Sequence, residues 1–172
     1  AAENHGNITS SKNGAVGIYS DSGSGVINYG TISLYGGNVI GIAGRNSGKI
    51  INEGIISVEG ENAAGIYSTQ NVTVENKGTI NVSGKNSAGI TAPVSKIINS
   101  GTINFSDGAS MISSQSNYEI PELVNAGIIK VNGEFDALGM KISIKPNIDT
   151  IQKSVLSGVD FTLDSVSILA DS

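Results

Sequence analysis

Hydrolysis and acyl transfer need a base held beside a nucleophile, and residues able to do such work are sparse in this chain. The single histidine, His5, takes an outward position in the motif NHGNI and has no recognisable partner for a catalytic triad. Asp21, Asp107 and Asp136 fall in different turns, so neither a glycosidase acid pair nor a clustered acidic and basic groove is expected. Cysteine is absent, which removes disulfides, thiolate chemistry and zinc–sulfur sites together. One histidine among scattered carboxylates makes a poor metal site, and the Gly-Gly-x-Gly-x-Asp calcium nonapeptide is missing. The expectation is no catalysis, no metal and no cofactor.

The elements that must position every side chain are strands. Among 172 residues, 23 are glycine, aromatics make up 5% and tryptophan is absent, so a bulky aromatic core is out of reach. The apolar residues are mostly isoleucine and valine, stiff at the first side-chain torsion and suited to a pleated surface. Helix formers such as leucine and alanine are few. The net charge is −5 with one arginine, Arg45, and no basic stripe, which argues against nucleic acid. No stretch approaches the roughly 18 apolar residues that span a bilayer, and no signal peptide opens the chain. If the protein is exported, the expectation is a mature segment or an excised piece of it.

The strands repeat. Asn-x-Gly-x-Ile occurs as NHGNI, NYGTI, NEGII, NKGTI, NSGTI and NAGII, starting at Asn4, Asn28, Asn52, Asn76, Asn99 and Asn125, with spacings of 24, 24, 24, 23 and 26. A Gly-Ile pair follows thirteen residues after the first four asparagines, at Gly17, Gly41, Gly65 and Gly89. An apolar residue precedes the later asparagines by two, at Val26, Ile50, Val74, Ile97 and Leu123. Markers in phase over several copies signal a repeat architecture.

Period two then sorts inside from outside. In the copy at Asn52 one set is Ile50, Asn52, Gly54, Ile56 and Val58, and the other is Ile51, Glu53, Ile55, Ser57 and Glu59. All charges fall on the second set, as they do in the copy at Asn76. The asparagine therefore belongs to the interior, where an unpaired amide costs a few kcal/mol. Stacked coils about 4.8 Å apart resolve this, each amide bonding its equivalent one coil away. The six asparagines are expected to form a structural ladder at a corner, with the glycine two residues on permitting a tight backbone.

Three short strands in 24 residues make one coil of a parallel β-helix, a solenoid in which neighbouring coils bury each other's apolar faces. The predicted fold is all-β, a right-handed parallel β-helix of roughly six or more coils. Residues 1–140 are read as regular coils and 141–172 as an irregular continuation or a closing element, with Asn147 and Ile151 as a degenerate coil and a short helix considered over 150–156. The stretch MISSQSNYEIPE, 111–122, carries the extra residues of the longest spacing and is expected to protrude as a loop.

The patterns N-x-G-x-I-x-V and G-x-N-A-x-G-I-Y at a period of 24 resemble the passenger segments of type V autotransporters, self-exporting outer-membrane proteins of Gram-negative bacteria. The resemblance is closest to the large adhesins of oral anaerobes and covers Asn4 to about Val131. It implies a right-handed β-helix displayed on the cell surface, a virulence-associated adhesin that binds a receptor or glycan on host cells or other bacteria. It also implies contact with the outer membrane only through a C-terminal barrel, which this stretch does not contain.

Three features of the exterior bear on partners. Outward of the ladder, Ile27, Ile51, Ile98 and Val124 form an apolar stripe with Glu75 among them. It reads either as a docking surface or as β-branched residues that simply suit a sheet exterior. Glu53 and Lys77 stand at equivalent positions on adjacent coils. The loop residues Gln115, Asn117 and Tyr118 are the candidate contacts for a partner, since loops on rigid scaffolds often carry recognition. Tyr19 and Tyr67 recur at one coil position but are interrupted by Ala43, which argues against a continuous aromatic platform for carbohydrate. An ice-binding array is rejected because the column of Thr31, Thr79 and Thr102 is broken by Ile55. The function expected is adhesion. The alternatives are a passive stalk that projects a distant binding region and, third, a polysaccharide-processing enzyme.

Overall fold

Isoleucine and valine at every second position build strands too short to stand alone, and the chain resolves this by winding them on top of one another. The computed structural model describes residues 1–113 apart from 22, 24, 46, 47, 70, 71, 92 and 93, then 122–132, 135–136, 141–144, 156–157, 160–162 and 168–171. Within these the chain is all-β, a parallel β-solenoid with about 24 residues per coil and no helix. Sheet A stacks Ala2–Asn4, Val26–Asn28, Lys49–Asn52, Val72–Asn76, Val94–Asn99 and Glu122–Asn125. Sheet B stacks Asn7–Ser10, Thr31–Tyr35, Ile55–Glu59, Thr79–Ser83, Thr102–Ser106 and Ile128–Asn132. Sheet C stacks Val16–Ser20, Ile40–Gly44, Ala64–Ser68, Ala88–Thr91 and Ser110–Ser113.

The register joins equivalent residues of successive copies. Asn4 pairs with Asn28, Asn28 with Asn52, Asn52 with Asn76, Asn76 with Asn99 and Asn99 with Asn125. Four turns thus separate Asn4 from Asn99, roughly 19 Å along the axis at a strand spacing of about 4.8 Å. The offset between these two coils is 24 at Tyr67 and Thr91, 22 at Val72 and Val94, and 23 from Thr73 and Lys96 onward, so the register shift after Val72 adds one residue back and brings the ladder position into line. Ser110–Ser113 pairs with Ala88–Thr91, and Glu122 pairs with Lys96. The expected loop over 111–122 is therefore shorter at both ends, because sheets A and C each extend over the coil below. Residues 114–121 lie outside the described residues.

Beyond the sixth asparagine the regularity changes. Lys141–Ile144 continues sheet A with Ile144 opposite Asn125, and Asp160–Thr162 follows it. Ile168–Asp171 pairs with Ile128–Asn132 in sheet B. Asn147, Ile151 and all of the considered helix over 150–156 except its last residue lie outside the described residues, and that last residue, Leu156, is not helical but begins the strand Leu156–Ser157 paired with Phe135–Asp136.

The interior is a stack of like on like. Ile32, Ile56, Ile80 and Ile103 of sheet B, with Ile42, Ile66 and Ile90 of sheet C and Ile50, Val74 and Ile97 of sheet A, are fully buried. Burying side chains of this size stabilises by about 1.5–3 kcal/mol each. Two backbone features make the winding possible. At the corner after the ladder, a Cβ on Gly78 would lie 2.0 Å from the carbonyl oxygen of Gly54, and the equivalent glycines on neighbouring coils meet the same obstacle. Gly78 does not adopt a positive φ, so the tight backbone at this corner does not rest on a left-handed conformation. What excludes a side chain is the close approach of the coils. The turn between sheets B and C does need the left-handed region, and Asn38, Asn62, Asn86 and Asp107 hold it at φ of 57°, 55°, 58° and 57°. Asparagine and aspartate tolerate that region better than other residues with a Cβ.

Candidate functional site

The asparagine column is the most ordered polar feature. Nδ2 of Asn4 donates to Oδ1 of Asn28 at 2.8 Å, and the pattern repeats from Asn28 to Asn52 at 2.9 Å, Asn52 to Asn76 at 2.8 Å, Asn76 to Asn99 at 2.8 Å and Asn99 to Asn125 at 2.7 Å. Each donor also reaches backbone carbonyls, as Asn76 does at Gly78 (3.3 Å) and Thr102 (3.1 Å). Asn28, Asn52, Asn76 and Asn99 are fully buried. With both ends of each amide engaged inside the coil stack, this column serves the fold and presents nothing to a ligand.

Outside the ladder, Ile27, Ile51, Ile98 and Val124 stack in register on sheet A, with Glu75 between Ile51 and Ile98. They are half-buried, because neighbours one coil away shield each other. Ile27 and Ile51 also line a shallow groove of about 270 Å³. Glu75 breaks the apolar run with charge. It pairs with Lys49 and lies 3.7 Å from Lys77, which reaches Glu53 at 2.9 Å. The hydrogen bond from Lys49 holds the Glu75 carboxyl below its usual range, against a smaller opposing effect of burial. The carboxylate of Glu53 raises the Lys77 amine. These groups are a solvated ionic network, and such surface pairs stabilise little.

His5 is not without neighbours, contrary to expectation. Its Nε2 lies 3.0 Å from the Glu3 carboxylate, and its ring stacks on Tyr29 with centroids 4.7 Å apart. The stacking arises because the positions following Asn4 and Asn28 sit one above the other. Neither neighbour is a nucleophile of the kind His5 would activate. Asp21 pairs with Arg45 at 3.7 Å, and Asp107 accepts a bond from the Ser106 hydroxyl at 3.1 Å. Among the described residues no group of three or more His, Cys, Asp and Glu side chains is placed to hold a metal. Gln115, Asn117 and Tyr118 lie outside the described residues.

Sheet C carries a feature that sequence reading missed. Asn38, Asn62 and Asn86, the left-handed residues of the turns that lead into sheet C, stand one above another and line a groove of about 390 Å³. Their side chains are exposed and make no hydrogen bond among the described residues. Ile40, Ala63, Ala64, Ala88, Tyr67 and Thr91 complete its lining. The signal was available, since these asparagines recur at the same period of 24. What hid it was the rule that turn asparagines serve the backbone. A second missed feature is an outer polar ladder on sheet B. Asn104 donates to Asn81 at 2.7 Å, and Asn81 donates to Ser57 at 3.0 Å.

A rod of in-register coils with a lateral groove of amides and small apolar side chains narrows the comparison with known proteins. The family model of the BigA third pectate lyase-like domain matches residues 37–148, more than half of the chain. The chain belongs to this family. It is a pectate lyase-like β-helix domain of a bacterial surface protein. No curated protein and no solved structure matches it. For a BigA-type domain the words pectate lyase-like describe the winding and carry no catalytic assignment to these residues.

Proposed function

We propose that this BigA-type domain is an adhesive segment of a surface-displayed autotransporter passenger, wound as a right-handed β-helix of six or more coils. Coil-to-coil pairing makes it a rigid rod, regular over residues 1–140 and continued or closed by 141–172. One lateral face then meets a receptor or glycan on a host cell or another bacterium. The observation that carries this reading is the groove on sheet C, where exposed amides of Asn38, Asn62 and Asn86 lack internal partners. The amides of the inner ladder are bonded to one another, whereas these are open to a ligand. The passive stalk keeps one observation in its favour, the uniform short turns between sheets B and C.

Binding of the labelled 172-residue chain to epithelial and bacterial cells separates the two. Saturable binding is expected. Its absence from both kinds of cell would leave the domain a spacer.

A further inference from the structure

We propose that the sheet C groove binds an uncharged, hydroxyl-rich glycan chain lying along the solenoid axis. This rests on the adhesive reading above and names its ligand. Asn38, Asn62 and Asn86 repeat once per coil, about 4.8 Å apart, so they offer the same donor and acceptor pair again and again along one line. A ligand matched to such an array is itself an extended polymer with a short repeat and paired hydroxyls.

The rest of the groove selects among polymers. No charged side chain lines it, which leaves nothing to neutralise a polyanion. Glu61 and Lys85, each preceding one of the amides, are exposed beside it and oppose each other in sign. The molecule as a whole carries −5, which further disfavours an acidic polysaccharide such as pectate. An added peptide strand is disfavoured for a different reason. The backbone groups of sheet C are taken up by pairing between coils, so no open edge runs along this face. Ala63, Ala64 and Ala88 keep part of the lining small, which leaves room for a flat ring, and Tyr67 adds an aromatic side chain to the same lining. The gap left by Ala43 in the tyrosine column means that amides and not stacked rings carry the repeat.

The test uses the whole chain and three neutral hexasaccharides: cellohexaose, mannohexaose and N-acetylchitohexaose. A galacturonic acid hexamer serves as the charged control. Titration followed through the side-chain amide resonances should show at least one neutral hexamer shifting Asn38, Asn62 and Asn86, with no response to the acidic one. The variant N62G keeps the left-handed backbone while removing the amide, and is expected to weaken binding roughly tenfold. The triple variant N38G/N62G/N86G should abolish it at an unchanged melting temperature. The proposal is overturned if none of the neutral hexamers binds, if only the acidic one does, or if the triple variant binds as the native chain does. Cell adhesion measured in parallel keeps the two claims apart. Adhesion that survives the triple variant sinks the groove and leaves the adhesive reading intact, whereas glycan binding without cell adhesion sinks the adhesive reading alone.

Discussion

At the scale of single residues, identical side chains do opposite work according to whether the coil stack has already engaged them. Asn76 is fully buried, accepts from Asn52 and donates to Asn99. Replacing it with leucine takes the Asn76 donor away from Oδ1 of Asn99 in the buried column, while Nδ2 of Asn52 loses one acceptor and keeps the carbonyls of Gly54 and Thr79. An orphaned buried acceptor costs about 1–3 kcal/mol, so Asn76→Leu should lower the unfolding free energy by about that amount and shift the urea midpoint down accordingly. An unchanged midpoint in urea would remove the ladder from the account. The inward asparagines were legible in the sequence because charge never falls on their side of the alternation. The outward ones at Asn38, Asn62 and Asn86 were equally periodic, but their left-handed turn gave a sufficient local reason for their presence. Only the groove beside them adds a second reason. Partners of His5 were hidden for the opposite cause, since Tyr29 is 24 residues away and becomes a neighbour only through stacking.

At the scale of the element, the coil is set by what its neighbours exclude. The corner glycines show this most directly. A methyl group on Gly78 would sit 2.0 Å from the Gly54 carbonyl oxygen, whereas one on Gly6 meets nothing within 4 Å. Both follow a ladder asparagine by two residues, so local sequence does not distinguish them. Gly78→Ala is expected to destabilise at or above the ~3 kcal/mol upper end of ordinary overpacking. Gly6→Ala should be nearly silent in the same thermal melt. Equal effects at the two sites would place the requirement in the corner's own geometry and not in stacking. The 24-residue period, the three strands and the inside face were readable from the repeat alone. The division of the shorter spacing into a two-residue loss before Val72 and a one-residue return at the shift after it, which together keep Asn76 in register with Asn99, was not. A one-residue deletion in a sequence does not say which turn or strand absorbs it.

At the scale of the whole molecule, three parallel sheets enclose an interior of stacked isoleucine, and charge is left to the outside. No helix among the described residues is long and apolar enough to cross a membrane. The architecture followed from the sequence because every copy repeats the same inward set, so one coil determines its neighbours. Function was less legible, because outward positions differ from copy to copy and acquire meaning only when the stack brings residues 24 apart together. Everything rests on that vertical alignment. The chain has no native cysteine, so an engineered pair reports on it cleanly. Ile55 and Thr79 are register partners on sheet B, and a strand spacing of about 4.8 Å falls within the usual Cα separation of a disulfide. Under mild oxidation, Ile55→Cys with Thr79→Cys should crosslink rapidly within one chain, and Ile55→Cys with Lys85→Cys should not. Crosslinking of the second pair as fast as the first, or of neither, would contradict the stacked solenoid.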